Sequence, residues 1–143
     1  MLNTKIILPD LAAFQRLAKE LAPKLRKGIV VALQGDLGVG KTEFARAVLR
    51  EFGIIGDIPS PTFTLLQTYE TNNLLVSHFD LYRLKSTDEL DELGWDDALA
   101  DGITLIEWPE RAGSRLPQER VELHFTLLDN GERFCVISEI KNP

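Results

Sequence analysis

Residues 35–42 read Gly35-Asp36-Leu37-Gly38-Val39-Gly40-Lys41-Thr42, and this run restricts the fold more than any other stretch of the chain. It satisfies G-x-x-x-x-G-K-[ST], the P-loop pattern, whose glycines let the backbone turn tightly enough for successive amide N–H groups to face a polyphosphate. Lys41 is placed to reach the terminal phosphates, and Thr42 offers a hydroxyl where magnesium needs a ligand. The helix beginning here adds the positive end of its dipole. The flanks agree. Ile29-Val30-Val31-Ala32-Leu33 is a mostly β-branched run suited to a strand buried on both faces. Beyond the loop, Phe44, Val48, Leu49 and Phe52 recur at helical spacing until Gly53 interrupts them. Strand, glycine loop and helix follow in the required order, so Gly35 through Thr42, with Glu43 in the first helical turn, are the candidate nucleotide contacts.

At 143 residues the expectation is one domain spanning 1–143, with a single core and little room for lids or a second catalytic unit. No segment is apolar for long enough to cross a bilayer, and residues 1–10 carry one lysine ahead of a charged amphipathic stretch, unlike a secretory signal. The cytoplasm is the expected compartment. Cys135 is the only cysteine, which excludes an intrachain disulfide and a cysteine metal cage; its apolar alternating surroundings suit a buried, inert thiol. A formal charge of -6 argues against broad, sequence-blind binding of nucleic acid. The local cluster of Lys19, Lys24, Arg26 and Lys27 is accounted for by a solvated helix end.

The remaining elements supply candidate chemistry. Residues 5–8 read as a strand, and Asp10 as the cap of a helix whose apolar face is Leu11, Phe14, Leu17, Ala18 and Leu21, ending near Pro23. In the loop 53–62, Ser60-Pro61-Thr62 has two readings of equal weight: hydroxyls that order around a γ-phosphate, or a surface turn. Residues 63–69 and 74–82 form an expected hairpin around Thr71-Asn72-Asn73. Alternation there sets Leu75, Phe79 and Leu81 on a core face and Val76, His78, Asp80 and Tyr82 on the other. Asp80 either serves the site, orienting water or holding magnesium through water, or pairs with Arg83 or Tyr82 in solvent. His78 is taken as structural, because His124, the only other histidine, offers no metal-ligand spacing.

Residues 86–93 suit a capped acidic helix, and Asp91-Glu92-Leu93-Gly94 spells D-x-x-G without the buried strand that a GTPase switch requires. Ile103-Thr104-Leu105-Ile106 ending in Glu107 is a Walker B arrangement, which carries a carboxylate to the sheet edge where the glycine loop opens. Glu107 is therefore a candidate for magnesium, through water, or for the attacking water. Trp108 either stacks in the site or supplies core area. Residues 121–128 and 133–140 alternate around Asp129-Asn130-Gly131 as a second hairpin, expected at one edge of the sheet. Arg133 just past that turn either lies over an adenine ring or faces solvent.

These elements predict an α/β fold, a P-loop NTPase-like three-layer sandwich whose mixed sheet has a parallel centre and antiparallel additions. With no N-K-x-D after Glu107, ATP is favoured over GTP. Three classes fit: a magnesium-dependent ATPase, a small-molecule kinase, and a nucleotide-responsive binding module with incidental hydrolysis. A kinase needs an arginine-bearing lid, toward which Arg111, Arg115 and Arg120 are the only contributors in view.

Four motifs in this order resemble the bacterial TsaE (YjeE) family: the glycine loop, Ser60-Pro61-Thr62-Phe63, His78-Phe79-Asp80-Leu81-Tyr82-Arg83, and Ile106-Glu107-Trp108-Pro109. The resemblance covers most of the chain. It implies an ATPase of tRNA threonylcarbamoyladenosine formation that binds the TsaB and TsaD proteins and cycles the transferase assembly. Hydrolysis is then slow in the isolated chain and dependent on partners, and tRNA is contacted indirectly if at all. By the same resemblance Lys41 binds phosphate, Thr42 and Glu107 serve magnesium, and Asp80 serves hydrolysis. Thr62 falls in the γ-phosphate-responsive loop; apart from the resemblance, Leu11 and Arg133 are the candidates for the adenine side.

Overall fold

A strand buried on both faces needs cover from two layers, and that requirement organises this molecule. The computed structural model describes residues 3–71 and 73–140, so residues 1–2 and 141–143 lie outside the described residues, as does Asn72, which the sequence assigned to the first hairpin turn. β2 (Val30–Gln34) and β5 (Gly102–Glu107) pair in parallel, and all six residues of β5 are buried. Val31, Leu33, Ile103 and Leu105 face one way, into a core shared with α1 (Leu11–Leu21) and α2 (Lys41–Glu51). Val30 and Ile106 face the other way, into a cluster with Leu90 and Trp95 of the short helices α3 (Glu89–Glu92) and α4 (Trp95–Asp101). The expected three layers are thus present, with a different core on each side of the sheet.

The other strands are β1 (Asn3–Leu8), β3 (Leu66–Thr71), β4 (Leu74–Asp80), β6 (Arg120–Leu127) and β7 (Arg133–Ile140). Their spatial order is β1-β7-β6-β2-β5-β4-β3. β6, β2, β5 and β4 run parallel, while β1 and β7 on one flank and β3 on the other are antiparallel additions. Among the described residues no helix is long and apolar enough to cross a membrane.

Local chemistry sets the boundaries. Asp10 caps α1, its Oδ1 accepting from Ala13 N at 2.9 Å. Ala13, Phe14, Leu17, Ala18 and Leu21 form the buried stripe, and each large side chain among them contributes about 1.5–3 kcal/mol by leaving water, whereas Leu11, expected on that face, is 55% exposed at the first helical position. Pro23 lies in a 3-10 turn, Ala22–Lys24, that ends the helix. The turn ahead of α3 is tied by Ser86 Oγ, which accepts from Asp88 N at 3.2 Å, and by Glu89 Oε1, which accepts from Ser86 N at 3.2 Å, while the N-cap Asp88 makes no side-chain cap bond.

Three further expectations need correction. The β6–β7 hairpin is not at the sheet edge, because β1 pairs with β7 along its length, from Asn3↔Ser138 to Leu8↔Arg133, while β6 reaches the central β2. The first hairpin starts late: Leu65, at φ 67°, donates its N–H to Pro61 O at 2.7 Å, so residues 61–65 turn and leave Phe63 82% exposed. Finally, both faces of β4 are inside. Val76 and His78 are fully buried and Asp80 is 4% exposed, because the α1–α2 layer covers their side of the sheet.

Candidate nucleotide site

The parallel strands β2, β5 and β4 end on the same side of the sheet, where chains of this topology open a crevice. Their register sets Leu33 opposite Glu107 and Glu107 opposite Asp80, so the two acids stand on adjacent strands in one row. Leu33 in this row, Leu105 one alternation from it and Val76 two alternations from it all enter the α1–α2 core. Both carboxylates therefore face the layer that holds the glycine loop and the start of α2. Two acids 3% and 4% exposed are costly unless they are partnered.

The loop enters α2 through Gly40 at φ 114°, a backbone conformation that side-chain-bearing residues rarely adopt. A β-carbon at Gly40 would also lie 2.6 Å from Phe14 Cε2, so α1 packs directly against the loop. Lys41 donates to the Gly35 carbonyl, and its Nζ lies 3.5 Å from the centre of the Trp108 ring. Burial pulls the Lys41 pKa below its usual 10.5, opposed by the charges of Glu107, Glu110, Asp80 and Asp36. The ammonium is thus poorly hydrated and surrounded by acids, a setting in which a polyphosphate is a strong partner.

Thr42 Oγ1 donates to Glu107 Oε1 at 2.8 Å, linking the first turn of α2 to the end of β5. The other oxygen, Oε2, accepts from His78 Nε2 at 2.7 Å. Asp80 Oδ1 accepts from Tyr82 N at 3.0 Å, and Oδ2 accepts from Thr62 Oγ1 at 3.1 Å. Thr62 in turn shares a 2.6 Å hydrogen bond with Ser60. The loop does turn at residues 61–65, and it also places the Thr62 hydroxyl on Asp80. Asp80 is not the solvent-facing strand aspartate of the alternative reading, although Tyr82 contributes its backbone N–H.

These groups border a cavity of about 470 Å³. From the expected set, Leu37, Gly38, Gly40, Lys41, Thr42 and Glu43 line it, as do Leu11, Thr62, Asp80, Glu107 and Arg133. Gly35, Asp36 and Val39 do not. Val39 is a core side chain, 3% exposed, the Gly35 carbonyl is engaged by Lys41, and the Asp36 carbonyl accepts from Val39 N at 3.2 Å. Arg133 faces the cavity beside Phe14, its guanidinium carbon 6.0 Å from the ring centre. Phe14, Tyr82 and Trp108 also line the cavity. Phe14 was legible only as a core residue and Tyr82 only as a strand residue. His78 was set aside altogether, although its place two residues before Asp80, on the same strand face, was the available signal.

The donor set suits magnesium held together with a substrate. The described residues contain no group of three or more His, Cys, Asp or Glu side chains able to hold a metal ion. A hydroxyl and two carboxylates are hard oxygen donors, and magnesium commonly takes one or two carboxylates plus water and phosphate oxygens rather than an all-protein cage. Arg115 and Arg120 are committed elsewhere, Arg115 to Asp91 at 2.7 Å and Arg120 to Glu122 at 2.6 Å.

Comparison with known proteins adds the lineage. Residues 8–134 match the family model of the threonylcarbamoyl adenosine biosynthesis protein TsaE. The tRNA threonylcarbamoyladenosine biosynthesis protein TsaE of Rickettsia bellii is 45% identical over 96% of this chain and 96% of its own length. The protein of that name from Haemophilus influenzae is 36% identical, covering 92% of this chain and 87% of its own. Among solved structures, Bacillus subtilis YdiB superposes with a TM-score of 0.82 at 28% identity, over 99% of this chain and 88% of that one.

Proposed function

The chain belongs to the TsaE family of threonylcarbamoyl adenosine biosynthesis proteins, and from that premise we propose that it is a magnesium-dependent ATPase. Its cycle would serve tRNA threonylcarbamoyladenosine formation by binding and resetting an assembly of TsaB and TsaD proteins. The observation that carries this reading is the 2.8 Å bond from Thr42 to Glu107, which brings the head of the glycine-loop helix onto the acid at the end of the neighbouring strand.

Each group has a role in this reading. Backbone N–H groups of the loop cradle the phosphates, and Lys41 exchanges its Gly35 carbonyl for phosphate oxygens. Thr42 and Glu107 would hold magnesium, and Asp80, opposite Glu107 on the adjacent strand and lining the same cavity, would join them through water. Magnesium bound there neutralises charge developing on the phosphate oxygens. Asp80 is also a candidate to orient the attacking water, because each of its oxygens has one protein donor and a free lone pair. Thr62 couples the loop before β3 to that acid, so ordering around a γ-phosphate would be felt at Asp80. Leu11 and Arg133 border the cavity and are assigned to the adenine.

Arg133 is the only arginine among the cavity-lining residues, and no second one stands ready as an arginine finger. Slow hydrolysis by the isolated chain is therefore expected, with groups supplied by partners accelerating it. With a net charge of -6, contact with tRNA is expected to be indirect. The proposed compartment is the cytoplasm, where such an assembly would meet tRNA.

The test is release of labelled γ-phosphate from Mg-ATP, with and without the TsaB and TsaD proteins of the same organism. Slow release as inorganic phosphate, accelerated by the partners, supports the reading. Fast release indifferent to the partners, or transfer of the label to a small acceptor, refutes it.

A further inference from the structure

His78 is a fully buried imidazole on a strand covered by helices on one face and a second core on the other. Its Nδ1 is buried without a hydrogen-bond partner, so its polar investment in the protein is the single 2.7 Å contact from Nε2 to Glu107 Oε2. An ionised carboxylate only accepts, so Nε2 carries hydrogen whatever the charge of the ring. A leucine would fill the same space without burying an unpaired ring nitrogen, but it would leave Glu107 Oε2 without its donor. The histidine is therefore explained by what it does to Glu107.

Glu107 needs outside help to hold one orientation. It is the last residue of β5, and the chain leaves the sheet immediately after it, with Trp108 at φ 55°. The carboxylate is held from two sides: Thr42 Oγ1 donates to Oε1, and His78 Nε2 donates to Oε2. With Oε2 engaged in the sheet layer, Oε1 is the oxygen presented to the head of α2. We infer that His78 is the positioning residue of Glu107, restricting this acid to one-oxygen engagement of the cation shell and denying it a two-oxygen chelating mode. The inference rests on the magnesium–triphosphate reading of the site. Partners that orient a metal-binding carboxylate in this way commonly change metal affinity by about 10–100-fold when removed.

The test measures binding of a fluorescent, non-hydrolysable ATP analogue to the full chain, with magnesium titrated in and, separately, with magnesium chelated. Three variants are compared with the wild type: His78→Leu, which keeps apolar volume, His78→Gln, whose amide Nε2 can replace the imidazole donor, and Glu107→Gln. His78→Leu is expected to raise the magnesium concentration giving half the affinity gain by about tenfold. Binding without magnesium should stay within about twofold of the wild type, because the loop contacts do not involve Glu107. His78→Gln should restore the magnesium response to within about threefold. In a Glu107→Gln background, replacing His78 should add nothing, the non-additivity expected of residues that act as a unit.

The inference is overturned if folded His78→Leu protein shows an unshifted magnesium response. It is equally overturned if His78→Gln is as impaired as His78→Leu, or if magnesium-free binding falls together with magnesium-dependent binding. Should His78→Leu not fold, the His78→Gln variant and its double mutant with Glu107→Gln decide the matter: a tenfold shift in the single variant that persists in the double mutant refutes positioning through Glu107. A wild type that binds the analogue without any magnesium dependence removes the functional reading itself, and this inference falls with it. A magnesium-dependent wild type with an indifferent His78→Leu removes the inference alone.

Discussion

Gly40→Ala probes the join between the glycine loop and the fold in two separable ways. The first is backbone strain: Gly40 sits at φ 114°, where any residue with a β-carbon is strained by about 1–3 kcal/mol. The second is collision. The added methyl would lie 2.6 and 2.8 Å from Cε2 and Cζ of Phe14. That ring cannot easily move, because it is 3% exposed and stacked at 5.9 Å on Phe125, which in turn meets Phe44 at 5.6 Å. Overpacking a core of this kind costs about 1–3 kcal/mol more. The sum, about 2–6 kcal/mol, is a large share of the roughly 5–15 kcal/mol that holds a domain together. At about 3 °C per kcal/mol for a chain of this size, the melting temperature should fall by roughly 6–18 °C. Gly38→Ala is the control, since φ is 79° but nothing lies within 4 Å of the added carbon. It should bear the strain alone, about 3–9 °C. Thermal unfolding followed by circular dichroism reads both. Melting temperatures for the two variants that agree to within about 2 °C would show that the Phe14 contact carries no energy, and the packing of α1 on the loop would have to be abandoned.

Three further outcomes are expected. Asp80→Ala should lower the ATP hydrolysis rate about a hundredfold or more while leaving nucleotide affinity largely intact, as a rate assay paired with equilibrium binding would show; unchanged turnover would remove Asp80 from the chemistry. Binding of a triphosphate should change Trp108 emission, because Lys41 Nζ leaves its place 3.5 Å from that ring, and Trp108→Phe should abolish the signal while Trp95, 1% exposed in the opposite layer, stays silent. Cys135, fully buried, has its thiol pushed up from 9.0 to about 12 chiefly by burial, so at pH 8 an aromatic disulfide reagent should label it only as fast as the protein unfolds. The unfolded thiol ionises near pH 9 and the folded one near 12, so this group's contribution to stability is whole below pH 9 and is lost as pH rises across that window.

The parts of the fold legible in the sequence were those set by local pattern. The glycine loop, the Asp10 cap, the apolar stripe of α1 and the turn at Asp129-Asn130-Gly131 each follow from a few neighbouring residues. Sheet order did not, because nothing local records that β1 returns to cover β7 and displaces the hairpin from the edge. The start of β3 was misjudged for a related reason: Phe63 and Thr64 have good strand propensity, but the positive φ of Leu65 and its bond to Pro61 belong to a turn built from residues 61–65. Lys41, Thr42 and Glu107, singled out by motif and context, and Asp80, singled out as an acid in a strand, all border one cavity, but the burial of both faces of that strand was not legible. His78 was taken as structural because His124 offers no metal-ligand spacing; its contact with Glu107, 29 residues away in sequence and on the adjacent strand, is recorded by no local pattern. Phe14 joined the cavity through the packing of α1 against Gly40, a contact that helical periodicity does not reveal.

A crystal structure of the chain grown with magnesium and a non-hydrolysable ATP analogue puts the site to the most direct trial. The γ-phosphate should lie within hydrogen-bond reach of Lys41 Nζ, with the cation on Thr42 Oγ1 and Glu107 joining it directly or through one water. An analogue bound elsewhere, or a cation shell that engages neither Glu107 nor Asp80, would contradict it.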